Sequence, residues 1–216
     1  KLFKVCTLRH IPIFTFVNKM DREARDPFEL MENIEEILGI KTYPMNWPIS
    51  CGKDFKGVYD RSAKRVLAFS SDGRANGVKM VDEVEAELGD AALDELIGTA
   101  NHEKLAEDIE LLDGAAEEFD LEAVQHGELS PVFFGSALTN FGVEPFLKEF
   151  LRLTPAPLPR KDAASGELVD PCSEQFSGFV FKIQANMNKN HRDRIAFLRI
   201  CSGKFERGME AFHVQE

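Results

Sequence analysis

At 216 residues, 44% hydrophobic and 29% charged, the chain carries enough apolar side chain to bury the core of one or two domains, which excludes wholesale disorder. Its formal net charge of −11 excludes a general coat for nucleic-acid phosphates, which needs a basic surface. The four cysteines, Cys6, Cys51, Cys172 and Cys201, stand far apart without a C-x-x-C pair, and no stretch approaches the roughly 20 apolar residues of a membrane span. The first residues also lack the basic-then-apolar order of a secretory signal, so the expectation is a cytoplasmic chain with reduced thiols and no metal framework.

Both ends read as interrupted elements: Lys1 to Arg9 as the remainder of a helix, and Phe212 to Glu216 as strand-like alternation without a turn. Ile11–Val17 is a short, nearly continuous apolar run, the pattern of a strand buried on both faces of a parallel sheet, and Asn18-Lys19-Met20-Asp21 follows at its carboxyl end. Asp26-Pro27-Phe28-Glu29 predicts a helix start, with Asp as N-cap, Pro at the first helical position and Glu placed to reach back to the cap. Phe28, Met31, Ile34, Ile37 and Leu38 keep helical spacing as far as Gly39, where a left-handed terminator belongs. From Tyr43 to about Ser71 the pattern turns to strands and turns, with Val58-Tyr59 and Val66–Phe69 as hairpin partners. The acidic stretch from Ala91 to Val124 is amphipathic, with Leu93, Leu96, Ile97, Leu105, Ile109 and Leu112 as its apolar stripe and its charges as a solvated face. Pro131–Phe134 predicts a second buried strand, ending in the polar loop Gly135-Ser136-Ala137-Leu138 and followed by a helix over 143–153.

Strand, loop and helix twice over is the alternation of an α/β doubly wound sheet, whose ligands lie beyond the carboxyl ends of its strands. The expected organisation is an α/β domain over residues 1–153 with a large α+β insertion at about 43–128. An extended, proline-marked linker over 154–175 follows, then the first strands of a β-barrel over 176–216. That last part carries seven Lys or Arg against four acids, a local +3 that leaves −14 on the remainder, so the two parts suit different partners.

The two loops carry recognisable chemistry. Guanine presents its N1 hydrogen and exocyclic amine side by side, and the Asp21 carboxylate can accept both. Asn18 offers an amide to N7 or O6 and a tie between loops, Lys19 can lay its methylene stem across the base, and the Ala137 backbone N–H can donate to O6. Ser136 is read as a brace for its loop. Adenine would leave carboxylate and N–H unpaired, a mismatch that costs about 10⁴-fold. N-K-x-D after a strand also arises in ordinary turns; a second strand ending in S-A-L downstream is what favours base recognition. No G-x-x-x-x-G-K-[ST] occurs, and Gly52-Lys53 has Trp47 and Asp54 where such a motif needs Gly and Ser or Thr. The elements that cradle phosphates and hold Mg²⁺ are thus not recognisable here.

At this point the sequence resembles the translational GTPases. Ile13–Arg22 is similar to their base-recognition element, and the interval of 118 residues from Asn18 to Ser136 is similar to that in elongation factor G and release factor 3. Trp47–Val58 is similar to both. Phe134–Val143 and Phe179–Phe197 resemble the release factor 3 family specifically. The resemblance implies the C-terminal part of a P-loop-type GTPase domain with its insertion, followed by the start of a β-barrel domain. It implies GTP/GDP binding by Asn18, Lys19, Asp21, Ser136, Ala137 and Leu138, with Mg²⁺ held by residues of the parent that this chain lacks. By the same resemblance the parent hydrolyses GTP on the ribosome and promotes recycling of class-I release factors after peptide release. This chain by itself is expected to be inactive, with no catalytic residue among its histidines. His191, Arg192 and Arg194 are either ribosomal RNA contacts or solvated loop charges. An elongation factor G-like translocase and a non-catalytic ribosome- or protein-binding module are the alternatives; DNA and membrane are not expected partners.

Overall fold

The computed structural model describes residues 2–70, 74–75, 78–79, 82–115, 118–185 and 194–214. They form two compact units, Lys1–Thr154 and Pro155–Glu216.

The first unit opens with helix α1 (Leu2–Leu8) and then strand β1, which spans only Thr15–Val17 of the predicted Ile11–Val17 run. Ile11–Phe14 stay outside it, and among the described residues β1 pairs with β9 alone, over Thr15–Val17. Helix α2 (Pro27–Leu38) starts and stops as its sequence dictates: the Asp26 carboxylate accepts from the Phe28 N–H, Pro27 occupies the first turn, and Gly39 closes at φ 66°. Phe28, Leu30 and Met31 pack on the core, whereas Ile37, expected on that stripe, is 71% exposed.

Strand β2 (Lys41–Pro44) is not separated by pattern from the strand-and-turn region that follows; it lies in the parallel sheet. Beyond it, β3 (Asn46–Ile49), β4 (Gly57–Asp60), β5 (Arg65–Ser70), the two-residue β6 (Arg74–Ala75) and β7 (Val78–Lys79), and β8 (Asp82–Glu87) run in sequence. The larger antiparallel sheet has the order β3-β4-β5-β8, and Val58 faces Leu67 and Tyr59 faces Val66 as the predicted hairpin requires. The acidic stretch forms helices α3 (Ala92–Ile97), α4 (Thr99–Ala115) and α5 (Leu121–His126), with Leu93, Ile97, Leu105, Ile109 and Leu112 buried.

Strand β9 (Leu129–Phe134) is buried at every position and is the centre of the parallel sheet β1-β9-β2. Its alternation splits the core: Val132 and Phe134 join the cluster of Trp47, Ile49, Leu105 and Ile109, while Phe133 joins Met45 and Leu153 on the other face. Helix α6 (Val143–Leu153) covers that second face, with Phe146 5.1 Å from Phe133 and 5.3 Å from Phe16. Elements on both faces of a parallel sheet make this the expected α/β layer fold.

Helix α4 is tied down partly by polar contacts. His102 donates on both sides, Nδ1 to Asp94 (2.9 Å) and Nε2 to the Leu88 carbonyl (2.7 Å), and only the imidazolium carries both hydrogens. The Asp94 hydrogen bond first, then the Leu88 carbonyl, raises the His102 pKa above its ordinary 6.5. A raised folded pKa gives stability that is complete below the unfolded value and fades as pH climbs through the folded one. The urea midpoint is therefore expected to be higher at about pH 6 than at about pH 8, and Asp94→Asn should shrink that difference. An unchanged difference in the variant would remove His102 from the account.

In the second unit, the segment expected to run extended holds a small hairpin of β10 (Arg160–Lys161) and β11 (Leu168–Val169), its turn closed by the Ala164 and Ser165 N–H groups on the Asp162 carboxylate. Strands β12 (Ser177–Ala185) and β13 (Arg194–Ser202) form the expected antiparallel ribbon, with a register shift between Val180 and Lys182. Phe179, Phe181, Ile183 and Ile195 are exposed on it, because two strands alone cannot enclose an apolar layer. The third strand expected after Ser202-Gly203-Lys204 does not form: residues 203–214 contain no strand.

Candidate guanine-base site

The parallel pairing of β1 with β9 brings the two predicted loops together. Val17 stands opposite Phe134, so Asn18 and Gly135 leave the sheet side by side. The Gly135 N–H donates to the Val17 carbonyl (3.0 Å) and the Met20 N–H returns to the Gly135 carbonyl (3.1 Å), continuing the ladder past the strand ends. Gly135 has to be glycine at this crossing: a Cβ there would lie 2.5 Å from the Phe141 carbonyl oxygen and 2.8 Å from the Phe16 ring. Beyond it, Ser136 and Phe141 exchange both backbone hydrogen bonds, folding residues 136–141 into a tight loop.

Two side chains then lock the loops across the sequence. Asn18 Oδ1 accepts from the Ala137 N–H at 2.9 Å and from the Lys19 N–H at 2.7 Å. The Ser136 hydroxyl, fully buried, donates to Asp21 Oδ1 at 2.5 Å. A carboxylate oxygen has more than one lone pair, so this bond aims Asp21 and leaves capacity for two parallel donors. Lys19 sits in the left-handed region at φ 71° and is exposed, and Leu138 on the second loop is 79% exposed. One expectation changes: the Ala137 N–H, assigned to a base oxygen, donates to Asn18 instead, so a bound base would have to share or take over that donor.

Ser136→Ala tests the brace. A hydrogen bond to a charged group contributes about 1.5–3 kcal/mol, reduced here by solvent, so GDP affinity of the full gene product is expected to fall by about fivefold to tenfold. Equal affinity in an isothermal titration would show that Asp21 holds its place unaided.

Of the other predicted residues, Arg194 is exposed at the start of β13, opposite Ala185. His191 and Arg192 lie outside the described residues. Sequence reasoning passes over Asn46 and assigns Gly52 no role, yet both touch this site. Asn46 Oδ1 accepts from the Phe134 N–H (2.7 Å) and its Nδ2 donates to the Phe134 carbonyl (3.1 Å). Gly52 opens a single 3₁₀ turn (Gly52–Asp54), and its N–H reaches both the Met20 (2.9 Å) and Arg22 (3.0 Å) carbonyls. The available signal is an amide interrupting the apolar run Met45–Ile49, since Asn is disfavoured in strands unless its side chain finds a partner. Among the described residues, no cluster of three or more His, Cys, Asp or Glu is placed to hold a metal ion, and no helix is long and apolar enough to cross a membrane.

Two loops tied together at the carboxyl ends of adjacent parallel strands make the kind of ligand site that open α/β sheets carry. The chain belongs to the elongation factor Tu GTP-binding domain family, whose model matches residues 1–156, and residues 175–216 match elongation factor G domain 2. The likeness to release factor 3 holds along the whole chain. It is 55% identical over 215 residues to peptide chain release factor 3 of Symbiobacterium thermophilum and 49% identical over 215 residues to that of Gloeobacter violaceus. In both cases all of this chain is covered, and it spans about 40% of the relative's length. A crystal structure of a protein from Thermus thermophilus shares the fold, with TM-score 0.57 and 22% identity over 96% of this chain and 30% of that one.

Proposed function

We propose that the loops at Asn18–Asp21 and Ser136–Leu138 read the guanine base of GTP and GDP. Asp21 accepts from N1 and the exocyclic amine, Lys19 lies along the base, and Asn18, Ala137 and Leu138 line its other edge, with Ser136 as brace. The observation that carries this reading is the pair of cross-loop bonds, Ser136 to Asp21 and Ala137 to Asn18, joining segments 115 and 119 residues apart. A turn motif present by chance has no reason to meet a second motif of the right chemistry across the sheet.

For the full gene product the reading is a GTPase of translation termination. It hydrolyses GTP on the ribosome and promotes recycling of class-I release factors after peptide release, in the cytoplasm, with Mg²⁺ and phosphates held by residues outside this chain. Residues 1–153 are the guanine-reading part of the GTPase domain, with the insertion at about 43–128. Residues 154–175 link it to the first strands of a ribosome-facing domain over 176–216, where Arg194, with His191 and Arg192, is a candidate contact to ribosomal RNA. The chain alone is inactive. The match of residues 175–216 to elongation factor G domain 2 favours a translocase-like factor as the second reading.

A titration of fluorescently labelled GDP, competed with GDP and with ADP, tests the base reading on this chain and on the full gene product. Selective binding by the full product alone supports it, with phosphate contacts supplied from outside the chain. Equal competition by GDP and ADP would overturn it.

A further inference from the structure

We propose that Asn46 and Gly52, at the root of the antiparallel insertion, are positioning residues that set the spacing of the two base-reading loops; the inference rests on the guanine reading. Phe134 turns its N–H and C=O to the side of β9 on which β2 runs, but β2 has already ended, its last pair being Pro44 with Val132. The next residue, Gly135, turns its groups toward β1. Without a partner, the Phe134 peptide groups would be orphaned two residues before Ser136, in a wholly buried strand. The Asn46 carboxamide fills that place, with an acceptor for the N–H at 2.7 Å and a donor for the C=O at 3.1 Å, and Asn46 is itself only 4% exposed.

The same short segment then reaches the other loop. Strand β3 is buried along its whole length, and the turn that follows presents the Gly52 N–H to the Met20 and Arg22 carbonyls, on either side of Asp21. Gly52 holds φ 67°, and a Cβ there would stand 2.6 Å from Glu23 Oε1. A larger residue must therefore strain its own backbone and displace the Glu23 side chain from this loop. One packed segment thus grips β9 just before Ser136 and the first loop around Asp21. The distance between the Asp21 carboxylate and the Ala137 N–H follows from that grip.

The test separates positioning from folding by comparing two nucleotides on the full gene product. Inosine diphosphate lacks only the exocyclic amine that Asp21 accepts, so the GDP-to-IDP affinity ratio reports the placement of that carboxylate. A variant that merely unfolds part of the population weakens both nucleotides equally and leaves the ratio unchanged. Asn46→Ala and Gly52→Ala are each expected to lower the ratio about tenfold, as misplacement of a binding group by a fraction of an ångström does. Should Asn46→Ala lose the fold, Gly52→Ala carries the measurement, since it removes no buried hydrogen-bonding side chain. If Asp21→Asn collapses the ratio while both bracing variants keep it, the inference is overturned and the guanine reading stands. If Asp21→Asn itself leaves the ratio unchanged, the guanine reading fails and this inference falls with it.

Discussion

Asp21→Asn in the full gene product is expected to weaken GDP about 30-fold to 100-fold, because a charge-assisted pair is replaced by one neutral bond and a clash between two N–H donors. Inosine diphosphate, with no amine to clash, should lose far less, so GDP and IDP converge. ADP, which never used the carboxylate productively, should change least. The structure supports a local effect: Asp21 is held by the Ser136 hydroxyl at 2.5 Å, and an amide of the same shape can accept that bond. Competition titrations of the three nucleotides check the result. Undiminished preference for GDP over ADP would turn the N-K-x-D loop into an ordinary turn.

Trp47→Ala should have the largest effect on stability, about 3–5 kcal/mol, against a total of about 5–15 kcal/mol for a typical domain. Trp47 is fully buried where three elements meet: Phe28 of α2 lies 4.5 Å away, Phe134 of β9 lies 5.6 Å away, and its indole N–H donates to Asp108 of α4 at 3.0 Å. Arg61 adds a second latch to the same helix, with Nη2 2.8 Å from Asp113 and its guanidinium 4.8 Å from the Tyr43 ring centre. Trp47→Phe keeps an aromatic ring and loses the indole bond, so about 1–2 kcal/mol is expected. Urea unfolding followed by circular dichroism is the appropriate measurement, since Trp47 is the single tryptophan of this chain and the variants lose its fluorescence. A loss below about 1 kcal/mol for Trp47→Ala would mean that this junction does not anchor the insertion.

By itself the sequence determined the features whose cause is local. The α2 helix was legible because Asp26, Pro27 and Gly39 act on their own backbone within one turn. Strand β9 was legible because a run that must be buried on both faces has no polar positions to spare. The placing of Asn18, Asp21, Ser136 and Ala137 in loops was legible because each stands within four residues of a strand end. The tertiary structure decided what depends on partners distant in sequence. Periodicity could not show that Lys41–Pro44 would pair in parallel with Leu129–Val132, that β1 would hold only Thr15–Val17, or that Ile37 would face solvent. Nor could it show that the Ala137 N–H would turn to Asn18. Asn46 gives the plainest physical reason. Its role is to satisfy a peptide group 88 residues away, and a polar residue in a strand carries no mark of which distant donor or acceptor it will meet until the chain has folded.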